Sequence, residues 1–262
     1  MKDDRNGRAG AMPIGGAPVP DYEVLIIGAG VTGLYQLYRA RQHDWSVRLL
    51  EAGSGVGGTW YWNRYPSART DSEGYTYGFF ISELLEEWDW SEHFPSQPEL
   101  ETYFNLFTDR FDLRKNIEFG TRVVSADWDE VSRMWTLTAS DGALFTARYV
   151  IAASGVLSVP FYPHILGAND FQGVVHHTAE WPSAGVDVKG KRVAVIGTGS
   201  SGIQLVPSIV DEVEFLTVYQ RTPNWAMPLN NSALTHDDQE KIRADYPALA
   251  ERLRATSGGF LH

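Results

Sequence analysis

Val24-Leu25-Ile26-Ile27-Gly28-Ala29-Gly30-Val31-Thr32-Gly33-Leu34 is the stretch from which the fold is read. Its first four residues form an apolar, β-branched-rich run that breaks at a glycine, and Leu34 to Gln42 then reads as a helix. A strand-to-helix turn of the form G-x-G-x-x-G is where a dinucleotide pyrophosphate sits. Gly28 makes the tight turn, Gly30 lets the backbone approach the anion, and Gly33 allows the helix to pack closely on the strand. The helix N-terminus then faces the negative charge. A second strand, Val47 to Leu50, ends in Glu51, whose carboxylate is placed to accept hydrogen bonds from an adenosine ribose. A glycine-rich turn without a ligand is the other reading of the same residues.

The arrangement returns further on. Arg192 to Ile196 reads as a strand, Gly197-Thr198-Gly199-Ser200-Ser201-Gly202 as its turn, and Phe215 to Tyr219 as the next strand. Gly197, Gly199, Gly202 and Gln220 each stand 169 positions after Gly28, Gly30, Gly33 and Glu51. Where the first copy has an acid, the second has Gln220 followed by Arg221 and Thr222. A carboxylate would repel a 2'-phosphate, and an arginine binds one bidentately. The first copy therefore suits FAD and the second NADPH. Gly199, Ser200, Ser201, Gly202, Gln204, Arg221 and Thr222 are the candidate cofactor-binding residues of the second copy.

Between the copies lies Gly57-Gly58-Thr59-Trp60-Tyr61-Trp62-Asn63-Arg64-Tyr65-Pro66, then Arg69 and Asp71, a segment too aromatic for a simple surface loop. Paired glycines permit close backbone approach, and Trp60, Trp62 and Tyr65 are suited to wall a flat isoalloxazine ring and exclude water. A core-filling aromatic cluster would look the same. Glu83 to Trp88 carries helical signals, and Gln97-Pro98-Glu99 starts a second helix through Tyr103, Phe107 and Phe111. Val123 to Trp128, Met134 to Thr138 and Phe145 to Ala153 read as a β-meander inserted in the first nucleotide fold, its last strand returning to the main sheet. Pro160 and Pro163 mark an irregular connection, and Ala233 to Thr256 reads as a charged amphipathic helix with Glu240, Lys241, Glu251 and Arg252 on its solvated face.

Composition narrows the chemistry. The 262 residues carry 43% hydrophobic residues, enough for a core, and a formal charge of -11, which disfavours nucleic acid or an anionic membrane as partner. There is no cysteine, so disulfides, thiolate zinc sites and a paired-thiol redox centre are excluded. Adjacent His176 and His177 and the five other histidines form no ligand spacing, so no metal is expected. No apolar run approaches a membrane span, and residues 1–20 read as a disordered leader of a cytoplasmic protein.

Residues 171–182, Phe-Gln-Gly-Val-Val-His-His-Thr-Ala-Glu-Trp-Pro, join the two copies. Their pattern F-x-G-x-x-x-H-T-x-x-W-P resembles the fingerprint of the Baeyer-Villiger monooxygenases. Gly57 to Asp71 resembles that family's second fingerprint, [AG]-G-x-W-x4-[FY]-P-[GM]-x3-D, with Ser67 standing where Gly or Met is usual. The resemblance covers residues 21–262 and implies oxygenation of a ketone to an ester or lactone with NADPH, FAD and O2, through a C4a-peroxyflavin. N- or S-oxygenating flavin monooxygenases carry a similar connector, and a truncated, non-catalytic nucleotide-binding protein is a third reading. By the same resemblance Gly28, Gly30, Thr32, Gly33, Glu51, Thr59, Trp60, Tyr77 and Val123 match FAD contacts. Asp71 matches a carboxylate beside the flavin that tunes a catalytic arginine, Arg69 a residue near the nicotinamide cofactor, and His177 the connector histidine that couples domain movement to cofactor binding. His177 also reads as a satisfied core histidine.

The expected architecture is thus α/β, with two Rossmann-like dinucleotide-binding domains, both incomplete in this chain. The FAD-binding segment spans 21–153, the interdomain connector 154–190 and the front of the NADPH-binding domain 191–262. Members of the family are roughly twice as long, so the catalytic arginine and the remaining half of the enzyme are expected to lie outside this sequence, which alone should not turn over.

Overall fold

The computed structural model describes residues 18–257; residues 1–17, which hold most of the expected leader, lie outside it. The first unit is built on strand β1 (Tyr22–Ile27), helix α1 (Val31–Gln42) and strand β2 (Val47–Leu50). Short helices α2 (Thr59–Trp62), α3 (Gly74–Tyr77) and α4 (Ser82–Glu87) precede a longer α5 (Gln97–Arg110). Strands β3 (Ile117–Glu118), β4 (Val123–Asp129), β5 (Met134–Ala139) and β6 (Leu144–Ala152) complete it. The six strands form one sheet in the order β3-β2-β1-β6-β5-β4.

Strand β1 pairs in parallel with both β2 and β6, so the glycine turn after Ile27 opens at the switch point of the sheet, where open α/β sheets place ligands. Strand β6 serves two neighbours. Its first residues, Leu144 to Ala147, pair antiparallel with β5, and from Ala147 to Ala152 it runs parallel to β1. The expected meander is therefore real, and its last strand is the one that rejoins the main sheet.

Side chains alternate across β1. Val24 and Ile26 face a core with Leu34, Leu37, Phe104 and Phe107, while Leu25 faces Leu50, Leu137 and Ala147 on the other side. Burial on both faces explains why β1 reads as an unbroken apolar run. Helix α5 starts with proline in its first turn, and its Leu100, Phe104 and Phe107, spaced by four and three, are fully buried.

The second unit pairs β7 (Arg192–Ile196) in parallel with β8 (Phe215–Tyr219) around α6 (Ser200–Ile209). The last helix among the described residues is α7 (His236–Ala255), with Glu240, Lys241, Glu251 and Arg252 exposed as expected. Helix α7 packs on the first unit: Arg243 donates to the Leu85 carbonyl and pairs with Asp89, Tyr246 donates to the Tyr75 carbonyl at 3.0 Å, and Gln239 donates to the Trp90 carbonyl. The physical reason is that Tyr246, Leu249 and Leu253 need an apolar face, and Phe80, 4.7 Å from the Tyr246 ring, belongs to one. No helix among the described residues is long and apolar enough to cross a membrane.

Candidate functional site

The two glycine turns are the same structure twice. Gly28 has φ +97° and donates to the Leu50 carbonyl at 2.8 Å; Gly197 has φ +104° and donates to the Tyr219 carbonyl at 2.8 Å. Each turn also has a glycine pressed against its first one. A Cβ on Gly33 would stand 1.8 Å from the Gly28 carbonyl oxygen, and one on Gly202 2.4 Å from that of Gly197. The helices begin at Gly30 and Gly199 with neither a capping side chain nor an acid in the first turn. Their leading amides are thus left for an anion, which fits the pyrophosphate of a dinucleotide.

The residues that close each turn differ in polarity. Glu51 is buried, and its carboxylate accepts from the amides of Ala29 and Gly53, each at 2.6 Å. At the matching place Gln220 donates to the Thr198 hydroxyl at 2.8 Å. The sequence reading aimed Glu51 at a ribose; its carboxylate also braces the turn itself, since those two amides need an acceptor once buried. Arg221 and Thr222 are exposed just beyond Gln220.

The aromatic segment meets the first turn through glycine. Gly57 donates to the Ala29 carbonyl at 2.9 Å, and Gly58, at φ +56°, lies so close to Gly30 that a Cβ would be 2.7 Å from its Cα. The paired glycines thus serve backbone against backbone. Thr32 and Thr59 are exposed on the α1 and α2 ends of this contact, and Val123 starts β4 beside the strand end where Thr121 donates to the Glu51 carbonyl.

Of the three aromatic residues expected to wall one ring, the structure separates all three. Trp60 is buried and donates to the Tyr77 phenol at 2.9 Å, with its own carbonyl held by Gln97. Trp62 is 42% exposed and lines an open cleft with Arg64, Glu180 and Trp181. Tyr65 turns the other way and packs with Val195, Leu205 and Ile209 in the core of the second unit. Residues two apart on the single turn of α2 point roughly 200° apart, and Tyr65 lies beyond the end of that helix. Burial raises the Tyr77 phenol above its ordinary value, with the Trp60 bond opposing and the negative charge of Asp71 adding to it. Asp71 itself is exposed.

Ser67 has φ +66°, a left-handed conformation that favours glycine, at the one position where this chain departs from the fingerprint. On either side, the Tyr65 hydroxyl donates to Gln204 Oε1 at 2.8 Å, and the Arg69 amide donates to the same oxygen at 3.3 Å. Gln204 Nε2 returns a bond to the Arg69 carbonyl at 3.1 Å. The Arg69 guanidinium pairs with Glu92 at 3.2 Å and donates to the Phe94 carbonyl, and Asn231 holds both Glu92 and Phe94. Helix α6 and the segment after β8 therefore converge on Arg69, one on its main chain and one on its side chain.

The connector is irregular apart from two single 3-10 turns, Ala168–Asp170 and Thr178–Glu180. His177 caps the second, its Nδ1 accepting from the Ala179 amide at 3.1 Å, and its ring lies 4.9 Å from that of Tyr162. It is half-buried and its neighbours Val174 and Val175 are exposed, so a core histidine is not what the structure has.

The family described as pyridine nucleotide-disulphide oxidoreductase matches residues 25–245. The chain belongs to that family. Within it, 2-oxo-Δ3-4,5,5-trimethylcyclopentenylacetyl-CoA monooxygenase of Pseudomonas putida is 43% identical over 93% of this chain and 46% of its own length. Cyclopentanone 1,2-monooxygenase of Comamonas sp. is 43% identical over 91% and 43%, and a phenazine N-monooxygenase of Lysobacter antibioticus 44% identical over 89% and 43%. Among solved structures, OTEMO in complex with FAD and NADP superposes with a TM-score of 0.89 at 42% identity, covering 93% of this chain and 47% of that one. The resemblance to the Baeyer-Villiger monooxygenases is borne out, and the chain spans about half the length of the relatives it matches. The family's name includes disulfide chemistry, and these 262 residues contain no cysteine.

Gln97, Glu92 and Asn231 carry parts of the site that sequence reasoning passed over. All three act through contacts with residues distant in the chain, and nothing in local periodicity marks them.

Proposed function

We propose that this chain is the FAD- and NADPH-binding front of a flavin-dependent monooxygenase that converts ketones to esters or lactones with O2. The observation that carries the reading is the polarity change between duplicated turns: Glu51 accepts from Ala29 where Gln220 donates to Thr198, with Arg221 next in line. An acidic first turn favours the ribose of FAD, and a basic second turn favours a 2'-phosphate.

In this reading the amides at the start of α1, with Thr32 and Thr59, hold FAD, and those at the start of α6, with Ser200 and Ser201, hold NADPH. FAD when bound supplies the electron transfer and oxygen chemistry. Asp71 sets the charge beside the flavin, Arg69 orients the nicotinamide side, and His177 couples the connector to cofactor binding. The buried Trp60-Tyr77 pair keeps water from that side of the site. The relatives' greater length supports a further half that supplies the catalytic arginine and most of the ketone pocket, so this chain by itself binds cofactors without turnover. The acidic surface and the absence of a membrane-crossing helix among the described residues support a protein that works in the cytoplasm, without nucleic acid as a partner.

The test is to load the protein with FAD and titrate it anaerobically with NADPH. Bleaching of the flavin absorbance by NADPH in preference to NADH supports the reading, and a colourless protein that retains no flavin refutes it. The 44% identity to a phenazine N-monooxygenase favours a second reading, oxygenation of an aromatic nitrogen. Offering a cyclic ketone and a phenazine to the enzyme completed by its second half separates the two by product.

A further inference from the structure

We propose that Gln204 is a positioning residue that locks the Tyr65–Arg69 loop onto α6, so that one carboxamide sets the flavin-side fingerprint against the second dinucleotide turn. The inference rests on the function proposed above and assigns to Gln204 a task different from direct contact with a nucleotide.

The geometry is specific. Gln204 lies two residues after Gly202, on the helix whose leading amides face the second turn. Its Oε1 accepts both the Tyr65 hydroxyl and the Arg69 amide, and its Nε2 donates to the Arg69 carbonyl. Both main-chain groups of Arg69 are therefore held by one side chain, and one amide proton is the whole polar capacity Gln204 has left. The bonded partners lie in a well-packed setting. Tyr65 is buried at 8% exposure among Val195, Leu205 and Ile209, and burial raises its phenol, with Ser201 acting in the opposite sense. Ser67, between the two anchored residues, is held at φ +66°. A non-glycine residue keeps that backbone only where its surroundings over-determine it. The loop thus ends at Arg69 and Asp71 in a position dictated from the other unit, and a shift of α6 on nucleotide binding would be felt there through rigid bonds.

Two variants test this, by exchange in the cofactor-free protein and by nucleotide titration in the FAD-loaded protein. Gln204→Leu removes all three bonds and leaves the Tyr65 phenol beside Ser201, and Tyr65→Phe removes one of the three together with that contact to Ser201. In cofactor-free protein, hydrogen exchange of peptides spanning residues 65–70 is expected to speed up in both variants, while peptides spanning 28–34 stay as in the wild type. In calorimetric titration, both variants are expected to bind NADP+ about five- to tenfold more weakly, as loss of a buried hydrogen bond predicts. The double variant is expected to be no weaker than Gln204→Leu, and each variant should retain FAD. Unchanged exchange at 65–70, wild-type NADP+ affinity in Tyr65→Phe, or fully additive losses would overturn the assignment. Failure of the underlying reading is distinguishable, because the wild-type protein would then take up neither FAD nor NADP+ while the exchange result stands alone. If Gln204→Leu does not fold, Tyr65→Phe and Gln204→Met decide the question by the same measurements.

Discussion

Gly58 and Gly30, 28 positions apart, touch backbone to backbone, and a Cβ on Gly58 would come within 2.7 Å of the Gly30 Cα. No flexible side chain stands between them, so neither strand of chain can give way cheaply. Gly58→Ala also meets a left-handed backbone, and the two effects together should cost about 1–3 kcal/mol. Chemical denaturation checks the stability, and the flavin content of the purified protein checks the cofactor. A variant as stable and as yellow as the wild type would mean that the contact is not needed.

Glu51→Gln should loosen the first turn. The carboxylate is 5% exposed and accepts two main-chain amides, and a carboxamide of the same shape has one acceptor oxygen and one donor nitrogen. One of the amides of Ala29 and Gly53 then faces an N–H, at a cost of roughly 1–3 kcal/mol. A lowered denaturation midpoint with weaker FAD retention is expected; FAD loss without loss of stability would assign Glu51 to the ribose alone.

Arg221→Ala should narrow the preference for NADPH over NADH by about ten- to a hundredfold, the range of a charge-assisted hydrogen bond. The exposed guanidinium has no structural task in the described residues, so the melting temperature should not move. Titration of both nucleotides against the FAD-loaded protein reads the ratio directly.

The start of α7 should be sensitive to acid. Thr235 and Asp238 form a capping box, and hydrogen bonds from the Thr235 side chain and then its main chain hold the Asp238 carboxyl below its ordinary value of 3.8. A depressed folded value means the stabilisation is present above the unfolded value and is lost as pH falls through the folded one. Protection of the first-turn amides of α7, taken as exchange relative to the intrinsic rate at each pH, should therefore fall below about pH 4, and Asp238→Asn should remove that dependence. Thr235→Ala should cost roughly 1 kcal/mol at neutral pH.

His177→Ala should leave FAD binding intact and impair the response of the flavin to NADPH. Its ring caps one 3-10 turn and packs on Tyr162, and neither contact reaches the first glycine turn. An unaltered rate of flavin reduction by NADPH would remove the coupling role from this residue.

What could be read in advance was what repeats or alternates. Both strand-turn-helix units, the 169-residue offset, the meander and the apolar spacing of α5 all lie in local patterns, and all are present in the structure. What could not be read depends on where two distant segments meet. Tyr65 reads as a partner of Trp60 and Trp62 because it is near them in sequence, yet its ring belongs to a core formed 130 and 140 residues later by Val195 and Leu205. Gln204 looked like part of a nucleotide motif, and only the folded chain shows Arg69 between its two amide atoms. Glu51 was legible as an acid at the right place, but its two amide partners are a property of a turn already folded.

The return of α7 to the first unit alters how the second unit is suspended. It leaves the first unit through the connector and comes back through Asn231 and the Gln239, Arg243 and Tyr246 contacts, and between those two holds the Gln204 carboxamide fastens it a third time, to Tyr65 and Arg69. A unit tethered at one end can swing in any direction. One held at three places is braced against swinging, and Arg69, bonded to Gln204 on one side and to the Glu92-Asn231 pair on the other, is the residue at which two of the three holds meet.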